Sequence, residues 1–208
     1  IIAGNDGTTA TTWITGDSSG VVNIPGSLTV AGSAVGGASA ITGLSDALKE
    51  DNSIYLGSDP SGTTDSATHN TAVGDTALDS ITTADYNVAI GSKALTAATS
   101  GGGNVAIGYS SLDSMTTSTG NVAVGRHTLQ AITDGTGHNI AVGYQAGYAV
   151  TSGASNVIMG YNAGLNITTG NRNIVIGEVA ADGFDEEDDN IAIGYAALGG
   201  SVVAGGNK

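Results

Sequence analysis

The chain has 208 residues, with 34 Gly, one Phe, one Trp, no Cys and only 12% charged residues. So few large side chains exclude a thick globular core and favour a thin one built by stacking small units, and the lack of Cys excludes a disulfide framework. The net charge of −14 rests on five basic residues (Lys49, Lys93, Arg126, Arg172 and Lys208), too few for a basic patch, so nucleic acid is excluded as a partner.

Residues 1–45 read as a β-rich connector. Trp13-Ile14 is the bulky apolar pair of its Thr/Gly-rich start. Val21-Val22-Asn23-Ile24 predicts a short strand, Pro25-Gly26 fits the centre of a type II turn, and Ser27-Leu28-Thr29-Val30 alternates as a second strand. Gly32 to Gly43 is small and flexible, a linker by composition. Residues 46–52 form a short helical or turn link; Ser45-Asp46-Ala47-Leu48-Lys49-Glu50 is the best helix candidate, with Ser45 as N-cap. No apolar run reaches the roughly 20 residues of a membrane helix, so this segment predicts no membrane insertion. The chain opens on Ile1 rather than Met and carries no recognisable signal peptide, as expected for part of a larger polypeptide.

From residue 53 to 198 one pentapeptide recurs. Asn87-Val88-Ala89-Ile90-Gly91 returns at Asn104–Gly108, Asn121–Gly125, Asn139–Gly143 and Asn190–Gly194, with looser copies at Asn70–Gly74, Asn156–Gly160 and Asn173–Gly177. Gly57 closes a ninth copy, with Ser53 in the Asn position. The glycines Gly57, Gly74, Gly91, Gly108, Gly125, Gly143, Gly160, Gly177 and Gly194 are 17 residues apart, with one step of 18 between Gly125 and Gly143. The extra residue falls in Thr133–His138, a turn. A fixed short period predicts an all-β parallel solenoid or β-roll of about nine coils, each holding two short strands and two turns. Residues 199–208, where the period fades, read as a cap or exit segment.

Columns follow from the period. Asn70, Asn87, Asn104, Asn121, Asn139, Asn156, Asn173 and Asn190 fall in one row, placed to form a side-chain amide ladder. The glycines mark a bend that needs positive φ or close backbone approach. Three residues on, a small side chain recurs, followed by a column of Leu78, Leu95, Leu112, Leu129 and Leu198 with exceptions at Gly147, Gly164 and Ala181. Tyr148 and Leu165 are candidates to fill the space at two of these. Strand alternation puts Val88 and Ile90 on one face, toward the coil interior, and Ala89 on the other. Ala72, Ala89, Ala106, Ala123, Ala141 and Ala192, with Ile158 and Val175, then form a stripe of small apolar residues, the expected contact face between copies in a homotrimer.

Chemistry is sparse. His69 and His138 share a column but lie four coils apart, roughly 19 Å at strand spacing, and His127 is in another column, so no histidine metal site assembles. The run Asp182-Gly183-Phe184-Asp185-Glu186-Glu187-Asp188-Asp189 offers a weak Ca²⁺ candidate in Asp182, Asp185, Glu186 and Asp188, but it matches no calcium-loop spacing and reads first as a solvated turn. Tyr109, Tyr144, Tyr161 and Tyr195, interrupted by Arg126 and Glu178, form a column suited either to glycan or protein contact or to lateral packing. No catalytic arrangement and no cofactor motif is present, and a non-enzymatic protein is expected. A hexapeptide-repeat enzyme is disfavoured by the 17-residue period, and an ice-binding solenoid by the lack of a Thr-x-Thr ladder.

The Asn-Val-Ala-Ile-Gly motif resembles the head repeat of trimeric autotransporter adhesins. That resemblance implies a left-handed parallel β-roll assembled as a homotrimer. The 17-residue spacing, the Ala-Leu step after Gly and the segment Asn23-Ile24-Pro25-Gly26-Ser27-Leu28-Thr29-Val30-Ala31-Gly32 more closely resemble bacteriophage tail fibres. They imply a structural fibre segment in a virion, involved in host attachment, with other fibre proteins and a host receptor as partners. A surface adhesin on a bacterial cell is the alternative.

Overall fold

The computed structural model describes the backbone of the strands within residues 1–50 and, with side chains, residues 52–57, 60, 63, 66–135 and 137–200. The chain divides into two compact units, Ile1–Ser45 and Asp46–Lys208.

In the first unit β1 (Ile2–Asn5) pairs antiparallel with β2 (Ala10–Gly16), which pairs with β3 (Val22–Asn23). Trp13-Ile14 lies in β2. β4 (Leu28–Val30) pairs antiparallel with β5 (Ser33–Val35), so part of the expected linker is a strand. Pro25-Gly26 lies outside the described residues.

The second unit is the solenoid. It opens with a correction. Ala47–Glu50 is not helical but a strand, β6, paired antiparallel with β7 (Ser53–Leu56). One or two isolated helical turns carry the nucleation cost of a helix without its propagation gain, whereas pairing on a sheet edge satisfies the same backbone groups at once. Asn52, at φ 64°, makes the turn.

Eight three-residue strands follow: β8 (Thr71–Val73), β9 (Val88–Ile90), β10 (Val105–Ile107), β11 (Val122–Val124), β12 (Ile140–Val142), β13 (Val157–Met159), β14 (Ile174–Ile176) and β15 (Ile191–Ile193). From β7 to β15 every pair is parallel and in register, residue for residue along the repeat. The nine parallel strands form one wall of a β-solenoid with 17-residue coils, and no α-helix occurs among the described residues. The 18-residue step leaves the β11–β12 register intact, because the added residue sits in a turn.

The far wall differs from expectation. Its residues are turns rather than a second strand, although their backbones still bond coil to coil: Lys93 N to Asp75 O at 2.9 Å, Leu95 N to Ser111 O at 3.0 Å and Ala97 N to Asp113 O at 3.2 Å. Packing gives the reason. Ala77 and Leu78, adjacent in sequence, are both fully buried, as are Ala94 and Leu95. A strand sends neighbours to opposite faces and cannot do this. Leu78, Leu95, Leu112 and Leu129 adopt φ between 49° and 55°, which turns both side chains inward.

Facing these leucines is the Ala column. Here the expected orientation is reversed: Ala72, Ala89, Ala106, Ala123, Ala141 and Ala192 are buried inside a single chain, and the flanking Val and Ile point outward. The walls stand close together, so the inner strand position takes the small residue when the opposite wall supplies Leu. The exceptions prove the complementarity. Where β13 and β14 carry Ile158 and Val175, fully buried, the Leu column retreats to Gly147, Gly164 and Ala181. An ideal Cβ on Gly147 would lie 3.0 Å from Ile158 Cδ1, and one on Gly164 would lie 3.4 Å from Ile158 Cγ2. Ile158 therefore fills the space, while Tyr148 is exposed and Leu165 only half buried.

Candidate functional site: the exposed columns of the solenoid

Stacking is held by the buried asparagines. Each Oδ1 accepts the backbone N–H of the next Asn: Asn87 N to Asn70 Oδ1, Asn104 N to Asn87 Oδ1, Asn121 N to Asn104 Oδ1 and so on to Asn190, at 2.9–3.1 Å. From Asn104 onward Nδ2 also donates to the preceding Oδ1, at 3.1–3.2 Å. Ser53 starts the ladder, its Oγ accepting Asn70 N at 2.9 Å. These side chains are structural and present nothing to solvent. The turn glycines are equally internal to the fold. Gly91, at φ 130°, lies so close to the coil above that a Cβ would stand 2.7 Å from the carbonyl of Gly108. No phosphate-binding loop is formed by them.

The Ala column cannot be a contact face between chains, because it is already covered within one. The exposed surface of the sheet is instead the pair of columns flanking it. Val88, Val105, Val122, Ile140, Val157, Ile174 and Ile191 make one column, with Thr71 at its foot. Val73, Ile90, Ile107, Val124, Val142, Met159, Ile176 and Ile193 make the other. All are half-buried or exposed, and Ile191 and Ile193 are each 64% exposed. An apolar, uncharged stripe eight coils long, roughly 34 Å at strand spacing, is unusual on a chain of net charge −14. Sequence reasoning chose the wrong side of the strand; the signal that could have corrected it is the exchange of Leu for Gly opposite Ile158.

Immediately after the Gly bend comes the aromatic column. Tyr144 and Tyr161 stack face to face, with ring centroids 5.3 Å apart and planes 12° from parallel. The Arg126 guanidinium lies over the rings of both Tyr109 and Tyr144, at 5.6 and 5.9 Å. The facing sides of Tyr144 and Tyr161 cover one another, so those two ring faces are not platforms on which a sugar ring could stack. Tyr195 ends the row at 77% exposure.

The acidic run does not converge on a cation. Asp182 Oδ1 accepts Gly200 N at 3.2 Å, Asp185 accepts the Thr168 hydroxyl, and Asp188 Oδ1 accepts Asn171 N at 2.6 Å. Arg172 closes the turn with a bond to Asp189 at 2.6 Å and one to Asp188 at 3.2 Å. Hydrogen bonds from Asn171 hold the Asp188 carboxyl below its ordinary range, and Arg172 does so for Asp189. Among the described residues no group of three or more His, Cys, Asp or Glu is placed to hold a metal, and no helix is long and apolar enough to cross a membrane. His69 stacks on Tyr86 at 4.9 Å and His127 meets Tyr109 edge-on, so these histidines are packing groups.

No protein-family model, curated protein or solved structure matches the chain.

Proposed function

We propose that the solenoid is a structural segment of a homotrimeric virion tail fibre, which carries a receptor-binding tip and serves host attachment without enzymatic activity. The single observation that carries this reading is the outward strand face, a continuous uncharged Val/Ile/Met stripe over eight coils. Three such faces meeting about a common axis would remove the stripe from water and leave the acidic turns outside. Every coil-to-coil hydrogen bond runs along the axis, so the segment is a stiff rod whose length follows from its number of repeats. Other fibre proteins at its ends and a host receptor at a tip are the partners in this reading. The test is immunogold labelling with antibodies raised against residues 53–198: decoration of virion tails is expected, and decoration of bacterial cells alone would overturn the reading in favour of a surface adhesin.

A further inference from the structure

We propose that two solenoid rods associate side by side and antiparallel through their tyrosine columns, with Arg126 of one facing Glu178 of the other. Along the axis the column reads Asp75, Ser92, Tyr109, Arg126, Tyr144, Tyr161, Glu178, Tyr195, one residue per coil. About the point between Tyr144 and Tyr161, its last six positions form a palindrome with the charge inverted, and Asp75 and Ser92 run on beyond the end of the facing column. Among the described residues Arg126 makes no ion pair; it lies against the ring faces of Tyr109 and Tyr144. Glu178 is exposed, and its carboxylate has no hydrogen-bond or ion-pair partner among the described residues. The two cannot meet within one chain, being three coils apart, roughly 14 Å.

A twofold axis perpendicular to the rod, through the point between Tyr144 and Tyr161, leaves each column facing its own copy but reverses the order of coils. Arg126 then meets the second copy's Glu178 at two symmetric places, Tyr144 meets Tyr161, and Tyr109 meets Tyr195. The contact is self-complementary, as an isologous interface requires. Parallel association keeps coils level and offers Arg126 no such carboxylate: the one acidic residue of its own coil, Asp134, already accepts bonds from Thr116 and Thr117 at 2.7 and 2.8 Å. The occupant of the tyrosine face is therefore a second copy running the other way. The contact lies beside the strand face and does not rest on what covers that face.

Charge exchange tests this. Sedimentation equilibrium of the full chain at low salt should give a wild-type mass at least twice that of Arg126→Glu and of Glu178→Arg, each of which places like charges opposite one another and weakens pairing by at least about tenfold. Mixing the two single variants should restore the larger mass, and so should the double variant R126E/E178R. Circular dichroism identical to wild type excludes unfolding as the cause of the smaller mass. Equal masses for wild type and both single variants, or failure of the mixture to recover, would overturn the proposal. The smaller mass itself, one chain or three, reports separately on the trimer.

Discussion

Ile158→Ala is the most informative perturbation of the core. Ile158 occupies the strand position that holds Ala in six other coils, and both nearby Leu-column positions, Gly147 and Gly164, are empty of side chains. Removing it leaves a hole that no neighbour can fill, so the loss should lie toward the upper part of the range for Ile to Ala, about 4 kcal/mol. Gly164→Leu alone should also destabilise, by about 1–3 kcal/mol, because its Cβ would sit 2.9 Å from Ile167 Cδ1 and 3.4 Å from Ile158 Cγ2. Backbone strain is not the reason: Gly164 has φ 54°, and Leu95 occupies the same column at φ 53°. Combined, the two changes recreate the Ala–Leu pair found in coils such as Ala89–Leu95. The double variant should be more stable than Ile158→Ala, with a favourable coupling of about 3 kcal/mol. Urea unfolding followed by circular dichroism measures all three. Additive losses would refute the claim that these two columns share one volume.

Other expectations follow from the same geometry. Asn121→Ala removes the acceptor of Asn139 N and Nδ2 and the donor to Asn104 Oδ1, so it should cost about 3 kcal/mol or more and raise amide exchange in the two adjoining coils. Val179 is β-branched yet held at φ 50°, in the column where Asn162 sits at 52°; Val179→Asn should stabilise by about 1 kcal/mol, read as a rise in Tm. Asp134, Asp188 and Asp189 have folded-state pKa values lowered by the Thr116 and Thr117 hydroxyls, by Asn171 and by Arg172 respectively. Their contribution is fully present above the unfolded carboxylate pKa and is lost as pH falls through the lower folded values. Thermal melts from pH 6 to pH 2 should show this loss, and Asp189→Asn should make it shallower.

The period alone revealed coil length, strand position, parallel register and the location of the extra residue, because stacking forces equivalent residues into columns. Strand orientation was not legible. Alternation states that Val88 and Ile90 oppose Ala89, but which side faces inward depends on how close the walls stand, a property of the whole coil. The far wall was misread for a related reason. Consecutive Ala77-Leu78 suggests half of a strand, and only a left-handed leucine, rare enough that propensity argues against it, puts both inside. Ala47–Glu50 went wrong because local propensity had no knowledge of the free edge of Ser53–Leu56. On the surface, the tyrosine column could be read from spacing, whereas the stacking of Tyr144 on Tyr161 and the insertion of Arg126 required side-chain geometry.

The outward face of the strands is the feature on which the fibre reading stands, and a charge placed there tests it most directly. With pairing between rods removed by Arg126→Glu, Ile107→Lys should leave the circular dichroism of the solenoid unchanged and convert a three-chain particle to single chains in native mass spectrometry, whereas Ala106→Lys, one residue away and buried, should unfold it. A wild-type chain that is monomeric at high protein concentration, or an Ile107→Lys particle that keeps three chains, would contradict the assignment of this face to the trimer.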